Sequence, residues 1–225
     1  MTHTPGPLHT FDAVLFDMDG TLVDTERHWF DAGRDLMLDL GIDLPDVALD
    51  ELHGLDLDAA LQLLTDRYGL RLTRDEYVER LLDALEAQVP TAAARDGAGA
   101  WIDRTVAAGL ARAIVSNSPR RIVEAVLAPH PWARELELRV AIEDVPAGKP
   151  SPASYRLAAQ RLGVAPDRCL VLEDSRVGAR AAVAAGATCV LVNFGVLDTD
   201  EARRVTPWVA SDLREALAWV GGSTG

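Results

Sequence analysis

Over most of this chain, short apolar runs that stop abruptly in polar residues alternate with stretches whose apolar positions recur every three or four residues. The first run, Val14-Leu15-Phe16, breaks into Asp17 and Asp19, with Gly20 and Thr21 directly behind. Ala113–Val115 breaks into Ser116-Asn117-Ser118, Leu138–Ile142 runs toward a turn around Lys149, and Cys169–Leu172 breaks into Glu173-Asp174-Ser175. Ala187–Asn193 and Trp208–Ala210 complete the strand candidates. Between them the helical rhythm predicts helices over Trp101–Ala108, Pro119–Leu127, Pro152–Leu162, Val177–Ala185 and Leu213–Val220. Ser118 before Pro119 and Ser151 before Pro152 read as N-caps with proline in the first helical position.

One region departs from this alternation. After Asp24 or Thr25, either of which can cap a helix, apolar residues at Trp29, Leu36, Met37 and Leu40 predict a helix ended by Gly41. Leu57, Ala60, Leu61, Leu64 and Tyr68 predict a second, and Tyr77 to Val89, after Thr73 and before Pro90, a third. Three helices in succession without a strand mark an inserted helical domain. The small-residue segment from Pro90 to Ala100 reads as its return linker and, with Leu22–Asp24, as a hinge. The strand–helix units on either side predict an α/β fold, a doubly wound, mostly parallel, Rossmann-like sheet covered by helices on both faces. The expected boundaries are residues 1–25 and 91–225 for this core and 26–90 for the helical insertion.

Composition narrows the possible partners. Net charge is −13, which argues against nucleic acid and anionic membranes, and no apolar run reaches the length of a membrane span. The opening MTHTPGPLHT lacks a basic segment followed by an apolar core, and Cys169 and Cys189 lie inside apolar runs as buried thiols; both point to a cytoplasmic protein. Nothing in the sequence demands more than a monomer. Of 22 lysines and arginines, Lys149 is the one lysine, so its turn calls for a compact point charge rather than a planar fork.

If the sheet is built as expected, every polar break falls on its carboxyl edge, where open α/β sheets bind ligands. Asp17, Asp19, Ser116, Lys149, Glu173 and Asp174 then converge. Four carboxylates in one place repel one another and raise one another's pKa unless a cation joins them, and hard oxygen ligands of this kind suit Mg²⁺. Ser116 and Lys149 supply a donor and a charge for an anion, most naturally phosphate. Metal, phosphate and a free carboxylate together permit phosphoryl transfer. Three plainer readings stand beside this one. D-x-D-G opens a calcium loop, but His28 occupies the twelfth position where such a loop needs Glu. The aspartates could be incidental to a turn, or belong to a metal or phosphate site without chemistry.

DMDGTLVDTE at 17–26, the strand-to-Ser116 turn, GKPSP at 148–152 and LVLEDS at 170–175 resemble, in this order, the four motifs of the haloacid dehalogenase-like hydrolases. The resemblance is strongest to the branch with a helical cap inserted after the first motif, which includes phosphoglycolate phosphatase, sugar-phosphate phosphatases and β-phosphoglucomutase. It implies that Asp17 is the nucleophile forming an aspartyl phosphate and that Asp19 is the general acid and then the base. It implies Mg²⁺ held by the Asp17 carboxylate, the Asp19 backbone carbonyl and Asp174, with Glu173 as a further ligand or one step behind. Ser116 and Lys149 would hold the phosphoryl oxygens, with Gly20, Thr21 and Asn117 around them. Thr25, His28 and His53 are the candidate cap residues facing a small phosphorylated metabolite. Asp19 argues against dehalogenation, and a cap without lysine argues against Schiff-base chemistry. The mutase branch places a cap histidine where this chain has Trp29, with His28 beside it, which favours a phosphatase; a hexose-phosphate mutase and a non-catalytic phosphate-binding protein are the alternatives.

Overall fold

The computed structural model describes residues 4–45, 48, 51–52 and 57–221. Six strands form one parallel sheet: β1 (Ala13–Phe16), β2 (Ala111–Val115), β3 (Leu138–Val140), β4 (Cys169–Glu173), β5 (Thr188–Val192) and β6 (Trp208–Ala210). Their spatial order is β3-β2-β1-β4-β5-β6, so the winding reverses between β1 and β4. The carboxyl ends at that reversal are where a doubly wound sheet leaves a crevice. The expected fold class is the one observed.

The chain divides into two compact units, residues 1–24 with 93–225, and residues 25–92. Among the described residues the first holds the sheet and six helices: α4 (Ala98–Ala107), α5 (Arg120–Leu127), α6 (Ala153–Leu162), α7 (Arg176–Ala185), α8 (Thr199–Arg203) and α9 (Leu213–Val220). The second holds α1 (Glu26–Asp39), α2 (Leu57–Tyr68) and α3 (Arg74–Gln88). The first unit's exit and return segments pair as a short antiparallel ribbon, with Asp24 N–H donating to the Ala93 carbonyl and Arg95 N–H to that of Leu22. Nothing described is a helix long and apolar enough to cross a membrane.

Both faces of the sheet are buried, which is why the strands read as continuous apolar runs. Ala13, Leu15, Val115, Cys169, Val171 and Leu191 face Tyr155, Ala158 and Ala159 of α6 and the alanines of α7. On the opposite face Phe16 meets Trp101 edge to face, their ring centroids 6.4 Å apart. Side chains alternate along a strand, so Asp17, two places beyond Leu15, and Glu173, two beyond Val171, continue onto the alanine-rich face. The register sets β1 against β4 with Phe16 opposite Leu172, and Asp17 N–H extends the ladder to the Leu172 carbonyl at 3.0 Å. The two carboxylates therefore end their strands side by side.

Four local expectations fail, the first at Ser151: Pro152 is the cap residue of α6 and no side-chain cap bond forms. The third strand stops at Val140 and Ile142–Asp144 forms a 3₁₀ turn, because Asp144 accepts the Ala141 N–H and folds the chain back. The helix expected from Trp101 begins at Ala98, started by Gly97 at φ 95°. Ser118 does not cap α5: Pro119 is the cap residue and no side-chain cap bond forms, the Ser118 hydroxyl being engaged elsewhere.

Candidate active site

Lys149 stands at the centre of the carboxyl edge. Its Nζ donates to Asp17 Oδ1 at 2.5 Å, to Glu173 Oε1 at 2.6 Å and to the Val115 carbonyl at 2.8 Å. An ammonium has three N–H bonds, and all three are used on acceptors from three different strands. A planar guanidinium fork cannot point in three diverging directions from so small a volume, which accounts for the one lysine of an arginine-rich chain. Its pKa is raised: burial works against the charged form, and Asp17 and Glu173 more than offset it. Asn117 fixes the lysine's backbone from both sides, its Oδ1 accepting Lys149 N–H at 2.8 Å and its Nδ2 donating to the Lys149 carbonyl at 3.2 Å.

Glu173 is almost fully enclosed. Oε1 accepts from Lys149 and from the Tyr155 hydroxyl at 2.7 Å, and Oε2 accepts from the Ser175 hydroxyl at 3.0 Å. Ser175 also caps α7, accepting the Gly178 N–H at 2.9 Å. Gly178 is the residue this packing permits, since a Cβ there would lie 1.7 Å from Glu173 Oε1. Tyr155 and Ser175 thus belong to the site, and the sequence reading gave neither a role. The signal for Tyr155 was a lone aromatic on the apolar face of an expected helix.

Asp17 and Asp174 compete for one proton. The Thr21 hydroxyl lies 2.9 Å from Asp17 Oδ2 and 3.0 Å from Asp174 Oδ1, and it can donate to only one of them. Burial, followed by the charge of Glu173, raises the Asp17 pKa well above the usual carboxylate range despite Lys149. The same two causes push Asp174 up to about 7, against the Thr21 hydrogen bond and Lys149. Oxygens of Asp17, Glu173 and Asp174 lie within 4.8 Å of one another, the one such acidic cluster among the described residues. Three carboxylates with one ammonium among them fit a divalent cation, which would remove the repulsion that raises both pKa values. Asp17 and Asp174 are the ligands with capacity left; Glu173 already carries three side-chain donors.

Gly20 lets these groups approach. It sits at φ 79°, and a Cβ on it would meet Asp174 Oδ2 at 2.1 Å. Its carbonyl accepts from Arg95 Nε at 3.1 Å, and Arg95 also pairs with Asp24, tying down the loop after β1. Asp19 turns away from the acidic cluster: its Oδ2 accepts from Ser116 Oγ at 2.9 Å and Ser118 Oγ at 2.8 Å. In the helical unit, buried Thr25 is the N-cap residue of α1 without a side-chain cap bond, and His28 Nε2 lies 3.1 Å from Thr91 Oγ1. His28 Nδ1 is buried with no hydrogen-bond partner. His53 lies outside the described residues.

The geometry and the four motifs coincide with a family pattern. A model of haloacid dehalogenase-like hydrolases matches residues 11–186. The chain belongs to this family. Hexitol phosphatase B of Escherichia coli is 32% identical over 183 residues, covering 80% of this chain and 82% of that protein. Fructose-1-phosphate phosphatase of the same species is 31% identical over 192 residues, with coverages of 82% and 97%. A solved haloacid dehalogenase-like hydrolase from Deinococcus radiodurans, crystallised with phosphate and sodium, is 32% identical, with a TM-score of 0.72 over 95% of this chain and 97% of that one. As a haloacid dehalogenase-like hydrolase the chain is an enzyme, and relatives that match 80–83% of it are named phosphatases.

Proposed function

We propose that this hydrolase is a Mg²⁺-dependent phosphatase of a small phosphorylated metabolite, of the sugar-phosphate or phosphoglycolate class, acting in the cytoplasm as a monomer. The observation that carries the reading is the pair of buried Asp17 and half-buried Asp174, both raised in pKa and sharing one hydroxyl, beside a fully bonded lysine. Acidity of this kind is too costly to keep without a cation or a reaction. The named activities of the two bacterial phosphatases favour a polyol or sugar phosphate.

In this reading Asp17 attacks phosphorus, a Asp17–phosphorus bond forms, and the ester P–O bond breaks as Asp19 gives its proton to the leaving oxygen. Water then attacks the phosphorus and gives a proton to Asp19, and the bond to Asp17 breaks to release phosphate. Lys149 holds the Asp17 carboxylate in place against burial and repulsion. Asp17 and Asp174 would hold the cation, whose chemistry there would be charge neutralisation for the phosphoryl oxygens. His28 and His53, in the proposed cap domain of residues 26–90, and Thr25, directly before it, are assigned to substrate selection.

Phosphate release from a panel of hexitol, sugar and two-carbon phosphates tests this. Release with Mg²⁺, abolished by EDTA and lowered about 10²–10⁴-fold in Asp19→Asn, is the expected result. Release undiminished in Asp17→Asn overturns the mechanism.

A further inference from the structure

Ser118 and Asp19 are joined by a closed ring of hydrogen bonds. Ser118 Oγ donates to Asp19 Oδ2 at 2.8 Å, Ser116 Oγ donates to the same oxygen at 2.9 Å, and Ser118 N–H donates to Ser116 Oγ at 2.9 Å. Both serines are buried, Ser116 to 1% exposure and Ser118 to 6%. The Ser118 hydroxyl has no helix-capping duty, since α5 begins at Arg120 behind Pro119 with no side-chain cap.

Two donors on one carboxylate oxygen have different futures. A hydroxyl carries a single proton, and Ser116 gives its own to Asp19. In the proposed reaction Ser116 must turn that proton to a phosphoryl oxygen, which leaves Asp19 Oδ2 with Ser118. We propose that Ser118 is a positioning residue, the donor that holds the Asp19 carboxylate toward the leaving and attacking oxygens once Ser116 has turned to the phosphoryl group. This rests on the phosphatase reading. A carboxylate that loses its anchor rotates about χ1 and χ2, and a displacement of about 1 Å costs on the order of 10²-fold in rate.

The two half-reactions allow a test that a merely structural serine would not pass. Alkyl phosphates need Asp19 in both halves, whereas p-nitrophenolate leaves without a proton, so only the second half then depends on Asp19. Ser118→Ala is expected to lower kcat for an alkyl phosphate about 10–100-fold with KM within about twofold. With p-nitrophenyl phosphate it keeps the first-turnover burst of p-nitrophenolate while steady release falls by a similar factor. Ser118→Thr restores both. Unchanged kcat in Ser118→Ala, or a burst lost together with steady release, overturns the inference while leaving the phosphatase reading intact. A wild-type enzyme that releases phosphate from neither substrate overturns the phosphatase reading, and this inference with it. Should Ser118→Ala not fold, Ser118→Thr and Ser118→Cys decide: Thr active and Cys impaired supports the hydroxyl's role, and equal activity contradicts it.

Discussion

At the carboxyl edge of β1 and β4, Asp17, Thr21, Ser116, Ser118, Lys149 and Glu173 are all buried, and each is bonded to another member of the group. In the helical unit of residues 25–92 the ionic groups lie at the surface and pair locally: Arg27 with Asp31, Arg34 with Asp31, Arg74 with Asp58 and Thr73 with Glu76. Among its described residues Thr25 and Tyr77 are the buried side chains that carry a hydroxyl or a charge. A buried polar group without its partner costs about 1–3 kcal/mol, more if charged, while a surface pair is worth little. Residue identity is therefore tightly constrained at the sheet edge and loosely in the helices, and the two regions should respond to substitution accordingly.

The largest difference is expected at Lys149. Lys149→Met leaves Asp17 and Glu173 buried without their cation and should cost about 3–5 kcal/mol in urea unfolding. Lys149→Arg keeps the charge but not the three diverging bonds and should not restore stability.

Next is the pH dependence of the metal-free protein. Asp174 moves from an ordinary 3.8 to about 7 on folding, so between those values the native state keeps a proton that the unfolded chain has released. Stability then falls as pH rises through that window, by at most about 4 kcal/mol for this group, and Asp17 acts in the same direction. In EDTA, the Tm should drop between pH 5 and pH 8, about where the window closes. Saturating Mg²⁺ should flatten the profile, because the cation takes the place of the proton, and Asp174→Asn should reduce the slope without metal to the part that Asp17 contributes. A Tm that rises with pH in EDTA would contradict the burial of these acids.

In the helical unit the effects should be small. Thr73→Ala removes a capping box in which Thr73 and Glu76 bond each other's backbone, and about 1 kcal/mol should be lost, with activity unchanged. Arg27→Ala, at a side chain 86% exposed, should leave the Tm within error. A large loss in either would break the contrast.

The same contrast explains how much was legible beforehand. The sheet was readable because β1, β4 and β5 are buried and almost wholly apolar, and the runs of β1, β2 and β4 break sharply at Asp17, Ser116 and Glu173. Lys149 was readable because the rest of the chain uses arginine. Ser118 was missed because a serine before a proline fits a helix cap equally well, and only the fold brings it within 2.8 Å of Asp19. The three donors that enclose Glu173 come from α6, from the loop before α7 and from the Lys149 turn, a convergence that no local pattern carries. In the helices no such break marks His28, whose ring lies 3.1 Å from Thr91 Oγ1; surface polarity there does not say which side chains have work.

The central claim is that Asp17, not a hydroxyl beside it, carries the phosphoryl group. Acid quenching of the enzyme during turnover with p-nitrophenyl phosphate and Mg²⁺, followed by mass spectrometry of its peptides, tests this directly. One phosphoryl group on Asp17, absent in Asp17→Asn and labile to hydroxylamine as an acyl phosphate is, is the predicted result. A phosphoryl group on Ser116 or Thr21, or turnover with no covalent species in either protein, would contradict it.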